Sequence, residues 1–175
     1  MKHKIISMAA PLTLLLGGCS TNEKVEEVKA SNSEVEKEEQ GDSGESKYET
    51  SFRELVADMS KTMNKVDEII KQDDTLYEVQ EEFEKAVMDV RGVVREFKEL
   101  SPDSKYDLQQ KKIVRAMDEL ELATTKLMLG MDNTQGYTFQ DGLAQYKKAI
   151  DLYVKAGYQI IDIRDGKELG TTEKG

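Results

Sequence analysis

Apolar side chains recur at intervals of three and four residues in four successive stretches of the chain, and this spacing constrains the fold more than any other feature. Such a stripe covers one face of an α-helix. No β alternation of useful length competes with it. We therefore expect four long helices that bury one face each. The four stripes are Phe52, Leu55, Val56, Met59, Met63, Val66 and Ile70; Leu76, Val79, Phe83, Val87, Val90, Val94 and Phe97; Tyr106, Ile113, Met117, Leu120, Thr124, Leu127 and Met131; and Phe139, Leu143, Tyr146, Ile150, Tyr153, Gly157 and Ile160.

Each stripe is preceded by a motif that is typical of a helix start. Capping boxes pair a hydroxyl with a carboxylate three residues later, and a serine followed by proline also favours a first turn. Because the connections between the stripes are short, neighbouring helices must run antiparallel. We therefore predict an all-α, up-down-up-down four-helix bundle over residues 49–163. The predicted starts are Ser51-x-x-Glu54, Thr75-x-x-Glu78, Ser101-Pro102 and, more weakly, Thr138-x-x-Asp141.

The segments on either side of the predicted bundle lack an apolar period. Residues 20–48 are rich in Glu, Lys, Ser, Asn and Gly and contain no Leu, Ile, Phe or Met. Such a composition cannot bury enough apolar area to offset the loss of chain entropy. We interpret residues 19–48 as a disordered acidic tether that begins at Cys19, and we expect residues 164–175 to fray.

The chain begins as a secretory signal peptide does. Basic residues at positions 2–4 precede twelve residues, Ile5 to Leu16, of which only Ser7 and Thr13 carry a polar side chain. Twelve helical residues reach about 18 Å, which is too short for a hydrocarbon layer of about 30 Å. A permanent transmembrane helix is therefore disfavoured, and we assign residues 1–18 to a cleaved leader.

The leader ends in Leu16-Gly17-Gly18-Cys19, a branched apolar residue, two small residues and the single cysteine of the chain. This sequence resembles the lipobox of bacterial lipoprotein precursors. The resemblance implies recognition of Leu16, Gly17 and Gly18 by the lipoprotein signal peptidase, cleavage before Cys19, and a covalent diacylglycerol on the Cys19 sulfur. Two acyl chains suffice for stable anchoring in a bilayer. The alternative is an ordinary secretory leader with a chance cysteine.

The bundle also resembles the small helical lipoproteins of Gram-positive bacteria. The residues that carry this resemblance are Leu100 to Pro102, Ala116 to Leu120, Gly130 to Asp132, and Ala144-Gln145-Tyr146. They are typical of helical bundles in general. The resemblance implies an extracytoplasmic protein on the cell membrane of a Gram-positive organism.

Charge and composition exclude several classes of function. The formal net charge of −10 opposes binding to nucleic acid. The single histidine, His3, lies in the predicted leader, so the mature chain lacks both the commonest general base and the commonest transition-metal ligand. Glu119 and Glu121 resemble the carboxylates of di-iron bundles, but those sites also need Glu-x-x-His pairs. We therefore expect no enzyme, no metal and no cofactor.

Two sets of side chains could form a contact surface. The methionines of the bundle could line an adaptable groove, although they also suit ordinary core packing. Tyr146, Tyr153 and Tyr158, with Tyr137 nearby, could form an aromatic edge along the last helix with hydroxyls that reach water, although tyrosine also suits the boundary of a bundle. Of these, the last helix is the stronger candidate for a contact surface.

Two functions of different class remain open. The first is a membrane-anchored, non-catalytic interaction module that binds another protein of the cell envelope. The second is a receptor for a small ligand, with a pocket between the helices near Gly157 and the methionines. A wall-degrading enzyme that uses paired carboxylates ranks below both.

Overall fold

A computed structural model describes residues 45–174 of the chain, and these residues form four long helices. Short 3-10 turns occupy Ser104–Tyr106, Met131–Asn133 and Thr172–Lys174, and no strand occurs within the described range. The prediction of an all-helical fold with four helices is therefore confirmed for this part of the chain. The helices are α1 Lys47–Gln72, α2 Gln80–Glu99, α3 Asp107–Gly130 and α4 Tyr137–Arg164.

The predicted stripes form the hydrophobic core. Every stripe residue is buried except Met131 and Leu143, which are partly buried and pack against the core. Three aromatic contacts join different helices: the ring centroids of Phe52 and Phe97 lie 5.7 Å apart, those of Phe97 and Tyr153 5.4 Å, and those of Phe83 and Phe139 5.9 Å. The helical bundle is thus stabilised chiefly by the apolar faces that the spacing identified.

Contacts between helix termini define two ends of the bundle. At the near end, which contains residues 45–49 and 97–110, Gln110 Nε2 donates to the carbonyl oxygen of Phe97 at 2.7 Å. At the far end, which contains residues 72–82 and 129–140, Gln80 Nε2 donates to Asp132 Oδ1 at 3.0 Å. The 26 residues of α1 separate the two ends by about 39 Å at about 1.5 Å per residue.

The first helix begins before the predicted start. Ser46 accepts a hydrogen bond from the Glu49 N–H at 3.2 Å, and the Glu49 carboxylate accepts from the Ser46 N–H at 3.2 Å. This is a complete capping box, so the prediction that Ser51 and Glu54 cap α1 is wrong. The earlier start is favoured because it brings Tyr48, which is 3% exposed, into the core.

The other three helix starts also differ from the predicted ones. Thr75 and Glu78 do not form a capping box, because both of their backbone N–H groups donate to the Asp73 carboxylate and α2 begins only at Gln80. The helix predicted at Ser101-Pro102 begins at Asp107, after a 3-10 turn that carries Tyr106 into the core. Gly136, rather than Thr138, is the N-cap residue of α4.

The segment predicted to fray folds back on α4. Asp162 is fully buried, and its carboxylate accepts hydrogen bonds from the N–H groups of Gly170, Thr171 and Thr172 and from the Thr172 hydroxyl. The four donor distances lie between 2.5 and 3.2 Å. The prediction of a frayed tail is therefore wrong for residues up to Lys174. The hydrogen bonds to the buried Asp162 carboxylate therefore hold this segment in place, although it has no apolar stripe.

Glycines allow α3 and α4 to approach closely. A Cβ atom on Gly130 would lie 2.5 Å from the backbone N of Phe139, and one on Gly142 would lie 3.0 Å from the backbone N of Leu127. By contrast, a Cβ atom on Gly92 in α2 would meet nothing within 4 Å. The close approach of α3 to α4 therefore requires small residues at positions 130 and 142. The packing of α2, by contrast, does not require a glycine at position 92.

Candidate interaction surface

The three tyrosines predicted for the contact surface do not form one. Tyr146 is 1% exposed and Tyr153 is 0% exposed, and neither hydroxyl has a hydrogen-bond partner within residues 45–174. Burial raises the pKa of both phenols. Tyr158 is partly buried and packs against the core. The prediction of hydroxyls that reach water is therefore wrong for Tyr146 and Tyr153, whose positions on the apolar stripe of α4 place them in the core.

The carboxylates that resembled a di-iron site are engaged in other interactions. Glu119 accepts a hydrogen bond from Gln145 Nε2 at 3.0 Å, and Glu121 forms an ion pair with Lys98 at 3.1 Å. No group of three or more potential ligand residues capable of holding a metal ion occurs in the described range. These carboxylates stabilise the packing of α2, α3 and α4 against one another.

The far end of the bundle instead exposes large apolar side chains. Tyr77 is 88% exposed, Tyr137 is 84% exposed and Leu129 is 74% exposed, the three highest values among the exposed large hydrophobic residues of the described range. They come from three different segments, namely the α1–α2 connection, the start of α4 and the last turn of α3. We call these three side chains the far-end apolar cluster.

The connection that carries Tyr77 is held by the Asp73 carboxylate. That carboxylate accepts from the Thr75 hydroxyl at 2.6 Å, from the Thr75 N–H at 3.0 Å and from the Glu78 N–H at 3.0 Å. The hydrogen bond from the Thr75 hydroxyl, followed by the one from the Glu78 N–H, holds the pKa of Asp73 below its ordinary value. Asp73 therefore stays ionised at neutral pH and fixes the backbone on either side of Tyr77.

Leu76 adopts a backbone conformation that leucine rarely takes. Its φ angle is 60°, in the left-handed region, and its side chain is 1% exposed. A residue with a Cβ atom in this region is strained by about 1 to 2 kcal/mol. Burial of the leucine side chain offsets this strain. The turn places Leu76 in the core and leaves the next residue, Tyr77, in solvent.

The other two members of the cluster are positioned by the close contact of α3 with α4. Gly130 packs against the backbone of Phe139, so Leu129 in the last turn of α3 and Tyr137 in the first turn of α4 flank the same contact. The rings of Phe139 and Phe83 lie 5.9 Å apart and join this region to the start of α2. The last turn of α3 and the starts of α4 and α2 are thus packed against one another at the far end.

Every charged side chain within residues 72–82 and 129–140 is acidic, and Lys71, in the last turn of α1, directly precedes the first range. Residues 72–82 and 129–140 contain no Lys or Arg. Carboxylates therefore outnumber cationic side chains at this end of the bundle, which favours a negative local potential. The carboxylates are Asp73, Asp74, Glu78, Glu81, Glu82 and Asp132.

A buried polar network closes the near end. Lys105 Nζ forms an ion pair with Glu49 Oε1 at 2.8 Å, and the Tyr106 hydroxyl donates to the same carboxylate. Burial disfavours the ionised form of Glu49, but the hydrogen bonds from Lys105, Tyr106 and Ser46 outweigh it and hold the pKa of Glu49 below its ordinary value. Burial, and then the bond to Glu49, raises the pKa of Tyr106 to about 12. The side chains of this network stabilise the near end.

Two grooves lie on the surface of the part of the bundle that the structure describes, and Gly157 lines neither of them. One groove of about 570 Å³ runs between the start of α1 and the end of α2, where Tyr48, Leu55 and Leu100 line it together with carboxylates that include Glu96 and Glu99. Another, of about 580 Å³, follows the exposed side of α1. Neither of these two grooves is lined by a methionine. Met59, Met63 and Met117 lie instead in the core.

The comparisons with known proteins identify no relative. A scan against protein-family models, a search of the curated proteins and a search of the solved structures each returned no match. Within residues 45–174, none of the helices combines the length and the apolar character needed to cross a bilayer. Leu16, Gly17, Gly18 and Cys19, which carry the lipobox resemblance, lie outside the described residues.

Proposed function

We propose that this protein is a membrane-anchored, extracytoplasmic lipoprotein of a Gram-positive cell whose helical bundle is a non-catalytic protein-interaction module. A diacylglycerol on Cys19 holds the chain at the bilayer, and the bundle binds another envelope protein. Anchoring confines both partners to the same surface, which raises the effective concentration of one for the other. An interface of low intrinsic affinity is then sufficient for the two proteins to associate.

We infer that the helices of this module run up, down, up and down. Phe52 near the start of α1 contacts Phe97 near the end of α2, and Gln110 near the start of α3 also bonds to Phe97. Lys126 near the end of α3 forms an ion pair at 2.6 Å with Asp141 near the start of α4. These contacts support antiparallel neighbours throughout.

The observation that carries the proposal is the contrast between the packed core and the exposed apolar side chains. The titratable groups with the clearest structural roles, Glu49, Asp73 and Asp162, are all occupied by hydrogen bonds within the domain. Tyr77, Tyr137 and Leu129, in contrast, lie in solvent at one end. Exposed tyrosines are enriched in protein interfaces.

Crosslinking in intact cells tests this proposal. A lysine-reactive crosslinker is applied to cells that express the tagged protein, and the complexes are purified and identified by mass spectrometry. A Cys19→Ala variant, which is exported without an acyl chain, is the matched control. We expect one envelope protein to be enriched with the wild-type chain over the control, and the absence of any such enrichment contradicts the proposal.

A small-ligand receptor is the second candidate, and the groove between α1 and α2 is the observation that favours it. Its volume of about 570 Å³ lies within the range of ligand pockets, and Tyr48, Leu55 and Leu100 are its largely apolar lining residues. A ligand at 100 times its dissociation constant stabilises a fold by about 2.7 kcal/mol. A rise in the melting temperature with a fraction of envelope extract, lost in a Ser101→Trp variant at an exposed lining residue, would favour the receptor.

A further inference from the structure

We propose that the far end of the bundle is the docking surface of this module and that its partner is a protein segment carrying basic and apolar side chains. The site consists of the far-end apolar cluster, Tyr77, Leu129 and Tyr137, and of the carboxylates around it. This inference rests on the proposed interaction function and specifies which surface acts and what chemistry it recognises.

The backbone around Tyr77 is arranged so that this side chain is presented to solvent. Leu76 takes a φ angle of 60° while its side chain stays in the core, and the Asp73 carboxylate fixes the residues on both sides. Strain in a non-glycine residue is retained where the surrounding structure requires it, and such positions cluster at functional sites. The backbone that carries Tyr77 is therefore ordered before binding, and only the side chain has conformational freedom to lose.

The three side chains provide the kind of contact that stabilises a protein interface. Tyrosine is enriched among the residues that dominate binding energy, and a neighbouring leucine extends the apolar area. The members of the cluster come from separate segments that the contacts of Gly130 with Phe139 and of Gln80 with Asp132 hold together. The surface is therefore formed before the partner binds, which limits the entropic cost of association.

The charge of the far end determines the chemistry of the partner. Residues 72–82 and 129–140 contain six carboxylates, five in the first range and one in the second, against one cation, Lys71, which directly precedes the first range. Such a surface attracts lysine and arginine and repels acidic proteins, anionic lipid and phosphate. A protein segment that combines basic and apolar residues therefore complements both features of this end.

Site-specific photo-crosslinking in cells tests the inference with the full chain. Tyr77 and Tyr137 are replaced, one at a time, by the photoreactive amino acid p-benzoylphenylalanine, which preserves an aromatic ring. Leu108 is the matched control, because it is also an exposed apolar residue, at 59%, but lies at the start of α3 near the opposite end. After irradiation, the crosslinked peptide is sequenced by mass spectrometry.

We expect positions 77 and 137 to crosslink to the same protein, within a segment of net positive charge, and position 108 not to crosslink to it. Crosslinks to an envelope protein from position 108 but from neither 77 nor 137 would overturn the far end as the docking surface and leave the proposed function standing. A partner segment of net negative charge, or adducts with lipid alone, would overturn the stated chemistry. No adduct from any position would contradict both proposals.

A charge-reversal variant tests the electrostatic part separately. Asp74 and Glu78 are exposed, and the Glu78 side chain does not take part in the Asp73 turn, which uses only its backbone. Asp74→Lys with Glu78→Lys should lower the crosslinking yield at position 77 by at least about fivefold. The control pair Asp89→Lys with Asp151→Lys, at exposed positions of α2 and α4 outside the far-end ranges, should leave that yield unchanged. Equal yields in the two variants would overturn the requirement for a basic partner.

Discussion

Tyr106, in the turn before α3, donates its hydroxyl hydrogen to the carboxylate of Glu49 in the first turn of α1, across 57 positions of sequence. The same carboxylate caps α1 through Ser46 and pairs with Lys105. The start of the first helix and the connection between the second and third helices are thus held by one buried anion. This contact therefore fixes the start of α1 against the turn that precedes α3.

Removal of the Tyr106 hydroxyl should destabilise the fold. Tyr106→Phe keeps the buried ring but takes one donor from an ionised acceptor, which we expect to lower the free energy of unfolding by about 1 to 2 kcal/mol. Urea denaturation followed by circular dichroism measures the change. Tyr77→Phe, at an exposed position, is the control and should change stability by less than about 0.5 kcal/mol. Equal effects of the two substitutions would contradict the assigned role of the bond.

Stability should fall in acid because the carboxylates of Glu49 and Asp162 are held ionised. For both groups burial favours the neutral form, but hydrogen bonds dominate, and the folded pKa lies below the ordinary values of 4.5 and 3.8. A lowered folded pKa contributes stability above the unfolded pKa, and this contribution is lost as the pH falls through the folded pKa. The melting temperature should therefore be flat above about pH 5 and decline below about pH 4.

The decline should be shallower when one of these carboxylates is removed. A Glu49→Gln variant is less stable than the wild type at pH 7. It also loses less stability between pH 5 and pH 3, because its side chain cannot take up the proton that destabilises the wild-type fold. Thermal melts at a series of pH values provide the comparison. Parallel profiles for the two proteins would show that Glu49 is not one of the groups responsible.

Asp162→Asn should release the C-terminal segment. The substitution replaces a carboxylate that accepts four hydrogen bonds with an amide that carries its own N–H donors, so the Thr171 and Thr172 N–H groups lose a charged acceptor. We expect a loss of about 2 to 3 kcal/mol and faster hydrogen exchange of residues 170–172. Asp165→Asn, which removes only exposed ion pairs with Arg164 and Lys167, should cost less than about 1 kcal/mol. Unchanged exchange at residues 170–172 in the Asp162 variant would be inconsistent with this role.

Two glycines should respond to alanine in opposite directions. Gly130→Ala places a Cβ atom 2.5 Å from the Phe139 backbone, and we expect a loss of about 1 to 3 kcal/mol. Gly92→Ala meets nothing within 4 Å in the interior of α2 and should gain about 0.5 to 1 kcal/mol from helix propensity. Chemical denaturation of both variants checks the pair. A stabilised Gly130 variant would mean that α3 and α4 have room to separate.

Hydrophobic periodicity was sufficient to predict four helices and nearly all of the core, because an amphipathic helix leaves its stripe in the sequence. The exact helix starts were not predictable in this way, since several serines and threonines precede an acidic residue at the capping distance. Ser46-x-x-Glu49 has the same pattern as Ser51-x-x-Glu54, and only the burial of Tyr48 decides between them. Extending the first stripe from Phe52 back to Tyr48 would have favoured the correct choice.

The exposed residues of the candidate surface could not all be predicted from hydrophobic periodicity. Tyr146 and Tyr153 already belonged to the stripe of α4, so their burial followed from the pattern that defined the helix. The exposure of Tyr77 depends on the backbone of Leu76 and on hydrogen bonds to Asp73, which link residues through a turn without a regular repeat. Asp162 likewise carried no signal, because its partners lie in a segment without apolar character.

Mass spectrometry of the protein purified from its native membrane tests the central claim, which is that the bundle is held at a bilayer through Cys19. If Cys19 carries the anchor, the N-terminal peptide begins at Cys19 and has the additional mass of a diacylglycerol. A peptide that still contains residues 1–18, with an unmodified Cys19 sulfur, would contradict this claim.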